Sequence, residues 1–321
     1  MFYLVLFLLS IIFTLFVKQF TEKKNILDIP NFRSSHSVAT PKAGGLAIIV
    51  TFYLGISYMY FISEIDQKLF FLLLTSFPIM ITGLIDDIVM LEWKIRISIQ
   101  ITCSVLAVYI LGGIPSIDFV FFEIYGWWLN IFAVLSIVWF INLFNFLDGI
   151  DGYAASQSVI TGIGSFVLLG NSVGLLIGIC SAGFLLFNWP KASIFMGDVG
   201  STTLGFLFAI LCFYDTQSGN IFVWLILLSF FWFDATYTIT KRFINNENIT
   251  VPHKKHLYQR LLQSGTSNRK IVSFLIFFNA SFILMLKLMP VYAYPYLFFV
   301  IIIFLIFIVK IIDKKKAFDK C

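Results

Sequence analysis

The sequence predicts an all-α, polytopic integral membrane protein with about eleven transmembrane helices. Three observations predict it. Of 321 residues, 60% are hydrophobic and only 12% charged, about half the charged share of a soluble domain. Apolar runs near the length that crosses a bilayer recur along the whole chain. The Lys and Arg residues fall almost entirely in alternate gaps between those runs.

Division at the polar and turn-rich stretches gives eleven candidate spans: 2–17, 44–62, 68–85, 97–112, 129–147, 154–169, 172–188, 201–214, 221–240, 271–289 and 295–312. The first lacks the basic leader and small-residue cleavage site of a signal peptide, so it reads as a retained helix. With Met1 outside, every basic residue except Lys68 and Lys287 falls on the cytoplasmic side. Basic residues are held in the cytoplasm during insertion, so this bias sets the orientation and calls for an odd number of spans. The long polar connections, 18–43, 86–96, 189–200 and 241–270, are then all cytoplasmic. No internal repeat and no soluble domain is visible, so residues 1–321 form one transmembrane domain with cytoplasmic loops. Cys103, Cys180, Cys212 and Cys321 are too scattered for a zinc site or a disulfide framework.

The acidic residues gather where the chemistry is expected. Asp86 and Asp87 end the third span in Gly83-Leu-Ile-Asp-Asp. Asp148 and Asp151 follow the fifth in Asn145-Phe-Leu-Asp-Gly-Ile-Asp-Gly, and Asp198 follows the seventh in Phe195-Met-Gly-Asp-Val-Gly-Ser. Carboxylates near a bilayer are costly and repel one another. A bound cation offsets both penalties, and oxygen ligands without a Cys cluster suit Mg²⁺, which shares its shell with substrate phosphates. In a helix, Asp148 and Asp151 would share a face.

Among the histidines, His253 and His256 lie three apart beside Lys254, Lys255 and Arg260. Such a set suits a diphosphate substrate, with cations on the phosphate oxygens and imidazole donating a hydrogen bond or a proton. It is also what a solvated basic loop would contain. A zinc pair lacks a third ligand. The stretch Asn31-Phe-Arg-Ser-Ser-His36-Ser-Val-Ala-Thr-Pro-Lys42-Ala-Gly-Gly is either a phosphate cradle or a polar connector.

Taken together, Thr40-Pro-Lys-Ala-Gly-Gly, the Asp86-Asp87 pair, Asn145-Phe-Leu-Asp-Gly-Ile-Asp-Gly, Asn188 with Phe195-Met-Gly-Asp-Val-Gly-Ser, and the late His segment resemble a known family. They look like the polyprenyl-phosphate N-acetylhexosamine-1-phosphate transferases, of the glycosyltransferase family 4 type. The resemblance runs from about Asp28 to Gly265. It implies that Asp198 is the principal Mg²⁺ ligand, with Mn²⁺ as the alternative ion. It also implies that Asp86 and Asp87 serve the lipid phosphate as base or metal ligand, and that His253 and His256 are catalytic. Asn145, Asp148 and Asp151 would form the nucleotide-sugar pocket, with Asn188 and Phe195 around the uracil ring, and Arg96 and Lys42 would bind substrate.

The pattern His253-Lys-Lys-His-Leu-Tyr-Gln resembles the O-antigen-initiating subgroup with GlcNAc- or FucNAc-type donors, more than the peptidoglycan enzyme with its three clustered histidines. The implied reaction joins a UDP-N-acetylhexosamine to undecaprenyl phosphate at the bacterial inner membrane and releases UMP, starting O-antigen or another envelope glycan. The implied partners are these two substrates and the bilayer, with a homodimer left open and no nucleic acid. The rival from another class is an ion-coupled secondary transporter, whose carboxylates would sit near mid-membrane.

Overall fold

The computed structural model describes residues 1–30, 38–215, 220–249, 251 and 253–318. Arg33 and His36 of the polar stretch 31–37, together with Thr250, Pro252, Lys320 and Cys321, therefore lie outside the described residues.

The helices follow the apolar runs. In chain order they are α1 Phe2–Lys23, α2 Gly45–Phe61, α3 Gln67–Leu74, α4 Phe77–Val89, α5 Trp93–Leu111, α6 Trp128–Leu147 and α7 Tyr153–Leu169. Then come α8 Ser172–Asn188, α9 Gly197–Asp215, α10 Ile221–Leu227, α11 Ser229–Ile244, α12 Leu257–Gln263, α13 Asn268–Leu288 and α14 Tyr294–Lys315. Two short antiparallel ladders and a 3-10 turn at Val291–Ala293 complete the described structure. In one, β1 Leu27–Asp28 pairs with β2 Thr40–Pro41; in the other, β3 Ser116–Asp118 pairs with β4 Glu123–Tyr125.

The count of eleven spans is not reproduced by length and composition. Seven helical segments are long and apolar enough to cross a membrane, and an eighth is added if α10 and α11 are one bent span. The candidates at 44–62, 154–169 and 172–188 are the apolar helices α2, α7 and α8, each 17 residues long. The candidate at 68–85 is α3 and α4 in succession. At their junction the hydroxyls of Thr75 and Ser76 turn back onto the carbonyls of Leu72 and Leu73, both at 2.5 Å, and Pro78 stands in the first turn of α4. The candidate at 221–240 is broken at Leu228 with a bend of 73°.

α9 is the central helix. It is buried from Val199 to Phe213 without interruption, as a helix apolar on every side must be. Small residues let its neighbours approach: a Cβ on Gly45 of α2 would lie 2.3 Å from the Gly200 Cα, and one on Gly83 of α4 would lie 2.7 Å from the Asp198 carbonyl oxygen. Close backbone packing of this kind holds membrane helices together where hydrophobicity cannot. Its consequence is that the C-terminal end of α4 and the N-terminal end of α9 are pressed against each other, and so are their acids.

Candidate active site

Asp87 ends in a cap. Its Oδ1 accepts from the Asp198 N–H at 3.0 Å and its Oδ2 from the Val199 N–H at 3.1 Å. The first N–H groups of a helix have no partner within it, and a carboxylate there also complements the helix dipole. Gly197, at φ +74°, brings the chain into α9 directly over this carboxylate. Sequence reasoning paired Asp87 with Asp198 as a metal ligand. The structure gives Asp87 two backbone donors, so its carboxylate also holds Asp198 in place. Lys42 lies within electrostatic reach of it.

Asp198 itself is partly exposed. Its Oδ1 accepts from Asn145 Nδ2 at 2.8 Å and its Oδ2 from Arg96 Nη1 at 3.0 Å. The same Arg96 nitrogen lies 2.5 Å from Asp86 Oδ2, while Asp86 Oδ1 accepts from the Leu91 N–H at 2.5 Å. A guanidinium thus stands between two carboxylates from different helices. Both bonds use Nη1, which leaves Nε and Nη2 of the partly exposed guanidinium to donate to a phosphate. Asn145 also donates to Ser201 Oγ at 3.2 Å, which fixes α6 to α9 beside Asp198.

Asp148 and Asp151 share no helix face. α6 stops at Leu147, and the loop carrying both acids runs to Gly152, whose φ of +74° starts α7. Gly149 and Gly152 make that turn accessible, and the helix periodicity assumed from spacing does not apply. Asp151 Oδ2 accepts from the Ala192 N–H at 3.2 Å. Burial pushes the Asp148 carboxyl well above the usual carboxylate range, and the negative charges of Asp198, Asp87 and Asp151 push it the same way. The Asp148 carboxylate has no hydrogen-bond partner among the described residues, while its N–H donates to the Phe144 carbonyl at 3.1 Å.

Asn188 is buried, and both ends of its amide are engaged. Oδ1 accepts from the Gly152 N–H at 3.0 Å and Nδ2 donates to the Ile194 carbonyl at 2.9 Å. It clips the Asp148 loop to the loop 189–196. Phe195 is partly exposed beyond it. Its backbone bonds to Pro41 and Gly44, at 2.8 and 2.9 Å, join this loop to β2 and the start of α2.

The histidine segment comes to the same end of the bundle, by a route that spacing did not reveal. His253 and His256 are not helical; α12 begins after them, at Leu257. Their rings nonetheless lie 4.9 Å apart. Asp234, buried in α11, organises the segment. It accepts from the Leu257 N–H at 2.9 Å and the Tyr258 N–H at 3.4 Å, and its Oδ1 is 3.2 Å from His256 Nδ1. Tyr258 donates its hydroxyl to the Phe146 carbonyl at 3.0 Å and fills the space over Gly149, where a Cβ would meet it at 2.0 Å. The histidines are thereby tied to the Asp148 loop. Sequence reasoning missed Asp234. The signal was an acid inside an apolar run, which is a candidate functional residue by default.

The basic residues of this segment are mostly committed elsewhere. Lys255 Nζ pairs with Glu247 at 2.7 Å. Arg260 is fully buried, ion-paired with Asp313 and bonded to the Lys316 carbonyl at 2.6 Å, so it anchors α12 to α14 and is withdrawn from any diphosphate. Among the described residues, Lys254 is left without an acidic partner.

No group of three or more His, Cys, Asp or Glu side chains among the described residues is arranged to hold a metal ion. Mg²⁺ does not require one, since one or two carboxylates with water and substrate phosphates complete its shell. The donor set fits such an ion: Asp148 is a crowded carboxylate without a hydrogen-bond partner among the described residues, facing the charges of Asp198 and its neighbours. The geometry therefore offers a cluster of acids, one guanidinium and two imidazoles at the ends of several helices. That can bind and neutralise a polyphosphate and orient it for attack.

Comparison with known proteins agrees with this chemistry. The profile of a family described as Glycosyl transferase family 4 matches residues 69–215. The chain is 30% identical to a protein of Bacillus subtilis named a probable undecaprenyl-phosphate N-acetylglucosaminyl 1-phosphate transferase, over 99% of this chain and 94% of that one. It is 27% identical to an undecaprenyl-phosphate alpha-N-acetylglucosaminyl 1-phosphate transferase of Thermotoga maritima, over 85% and 86%. It is 30% identical to a decaprenyl-phosphate N-acetylglucosaminephosphotransferase of Mycobacterium tuberculosis, over 80% and 74%.

Proposed function

The chain belongs to glycosyl transferase family 4, and from that premise we propose that it transfers an N-acetylhexosamine 1-phosphate from a UDP-sugar to undecaprenyl phosphate. The observation that carries the proposal is the assembly of Asp86, Asp148, Asp198, Arg96 and the His253–His256 pair at one end of the bundle. A secondary transporter would hold its carboxylates near mid-membrane; here they stand at helix ends. The matched relatives are named for N-acetylglucosamine, so that sugar is the first donor to try and a FucNAc-type sugar the second. The product would start O-antigen or another envelope glycan, made on the cytoplasmic face of the inner membrane.

In this reading an oxygen of the lipid phosphate attacks the sugar-linked phosphorus of the donor. The bond from that phosphorus to the UMP oxygen breaks, and UMP leaves. A phosphate monoester is already a nucleophile at neutral pH, so the task is positioning and charge neutralisation. Asp198 and Asp148 are the residues that would hold Mg²⁺ or Mn²⁺, which when bound supplies positive charge to the diphosphate. Arg96 offers a second positive group, and Asp86 and Asp87 fix Arg96 and Asp198 in turn. His253 and His256 would donate to the diphosphate oxygens, and Phe195 would pack on the base. A groove of about 380 Å³ between α11 and α14, lined by Trp232, Phe233, Tyr237, Ile302 and Ile306, offers an apolar bed for the prenyl tail.

The test is direct. Purified protein is incubated with UDP-N-acetylglucosamine labelled in the sugar, undecaprenyl phosphate and Mg²⁺. The expected result is labelled lipid with an equal amount of UMP, abolished by chelation and by Asp198→Asn. No labelled lipid from any of a panel of UDP-sugars would refute the transfer. Near-normal turnover of Asp198→Asn at saturating Mg²⁺ would remove that residue from the metal.

A further inference from the structure

The break between α10 and α11 is held from outside by a buried amide. In a membrane-spanning helix, a break frees carbonyls that no water can reach, so other groups must satisfy them. Here the Leu228 carbonyl takes two N–H groups, those of Phe231 at 3.0 Å and Trp232 at 3.1 Å. Side chains take two others. Trp232 Nε1 donates to the Leu225 carbonyl at 2.7 Å, within the bent segment itself. Gln157 of α7 donates from Nε2 to the Leu227 carbonyl, also at 2.7 Å. The same nitrogen donates to Thr161 at 2.7 Å, and Asn279 of α13 donates to Gln157 Oε1 at 3.3 Å. Gln157 and Asn279 are wholly buried.

The position of this clamp matters for the site. α7 starts where the Asp148 loop ends, and Gln157 stands one turn inside it. Its first residue, Tyr153, has its ring 5.2 Å from that of Phe231 and 5.3 Å from that of Tyr258. α11 leaves the break and within two turns presents Asp234, which receives His256 and the first N–H groups of α12. The Trp232 bond lies inside the bent segment and cannot orient it against other helices. The Gln157 bond joins the break to the helix that follows the Asp148 loop.

We propose that Gln157 is a positioning residue, which sets the aim of α11 at the break and so places Asp234 and His256 against the Asp148 loop. The proposal rests on the transfer reading for its kinetic consequence, and on geometry alone for its structural one. An apolar residue at 157 would fill the space but leave the Leu227 carbonyl without its donor, and α11 would be free to settle at another angle.

The experiment uses the full chain in lipid nanodiscs and the variant Gln157→Leu, with two readouts. In the first, amide hydrogen exchange over residues 257–260 is expected to rise roughly tenfold, about the effect of one weakened hydrogen bond, while exchange in α8 stays unchanged. In the second, kcat is expected to fall roughly tenfold with the donor KM nearly constant, and Gln157→Leu should add nothing to the loss caused by Asp234→Asn, because both act through one group. Ser10→Ala is the packing control. It removes a buried bond from α1 to the Cys180 carbonyl of α8 and should leave both readouts unchanged. If Gln157→Leu does not fold, Asn279→Ala loosens the same amide and should move both readouts the same way. Unchanged exchange over 257–260 in the folded variant overturns the proposal whatever the activity, and so does an additive loss in the double variant. A wild-type chain that transfers nothing overturns the transfer reading instead, and the exchange result still decides the role of Gln157.

Discussion

At the scale of single residues, a hydrogen bond assigns the state of His253. His253 Nδ1 accepts from the Lys255 N–H at 3.1 Å, so a neutral ring carries its proton on Nε2 and can donate from there. Burial, then the charges of His256 and Arg242, push the His253 imidazole down to about 3, against the pull of Asp234 and Glu247. An unfolded histidine titrates near 6.5. Between these values the unfolded chain binds more protons than the folded one, so stability is full above about pH 6.5 and declines as the pH falls toward 3. The melting temperature of the wild type is expected to fall between pH 7 and pH 5, and His253→Gln should flatten that slope; equal slopes would show that His253 is not the group being charged. The acids divide in the same way. Asp87 accepts two backbone N–H groups, and an amide can accept with only one of its ends. Asp87→Asn should therefore cost about 2 kcal/mol of stability as well as activity. Asp198→Asn should cost activity with little stability, so an Asp87→Asn protein that melts with the wild type would refute the cap.

At the scale of elements, the site depends on how closely helix ends meet. A methyl group on Gly83 would fall 2.7 Å from the Asp198 carbonyl oxygen and 2.7 Å from the Val199 Cα, both backbone atoms that cannot swing aside. Overpacking typically costs about 1–3 kcal/mol. Here the strain falls on the turn that carries Asp198, so Gly83→Ala should lower kcat more than the melting temperature suggests. A Gly83→Ala enzyme with wild-type kcat would mean that the contact is relieved without moving Asp198. The helices themselves were readable as apolar runs, and α7 and α8 appear where the short spans were drawn. The bend at Leu228 was not readable. Neither Gly nor Pro stands between Ile221 and Ile244, the usual local causes of a kink, and the groups that satisfy the freed carbonyls include a glutamine some seventy positions earlier in the chain. The roles of Lys255 and Arg260 were hidden for a similar reason. Their basic character was plain, but their partners Glu247 and Asp313 are set by how α11, α12 and α14 meet.

At the scale of the whole molecule, the acids, Arg96 and the histidine segment share one end of the bundle, and the β3–β4 hairpin lies in a connection drawn on the other side. The distribution of basic residues predicts that a topology reporter at about residue 118 reads as external and one fused after Lys320 reads as cytoplasmic. A C-terminal reporter found outside would move the acids to the face that UDP-sugars do not reach. Composition and charge alone determined that this chain is a helical membrane protein, because bilayer thickness and the retention of basic residues act on local sequence. The motifs alone identified Asp86, Asp87, Asp148, Asp151 and Asp198 as one constellation. Only the tertiary structure decided what each does within it: that Asp87 caps α9, that Asn188 clips two loops, and that Asp234 holds His256. Those assignments turn on which of a side chain's lone pairs and protons are already engaged. Hydrogen bonds between residues far apart in the chain form only when the helices pack, and spacing along the sequence carries no record of them.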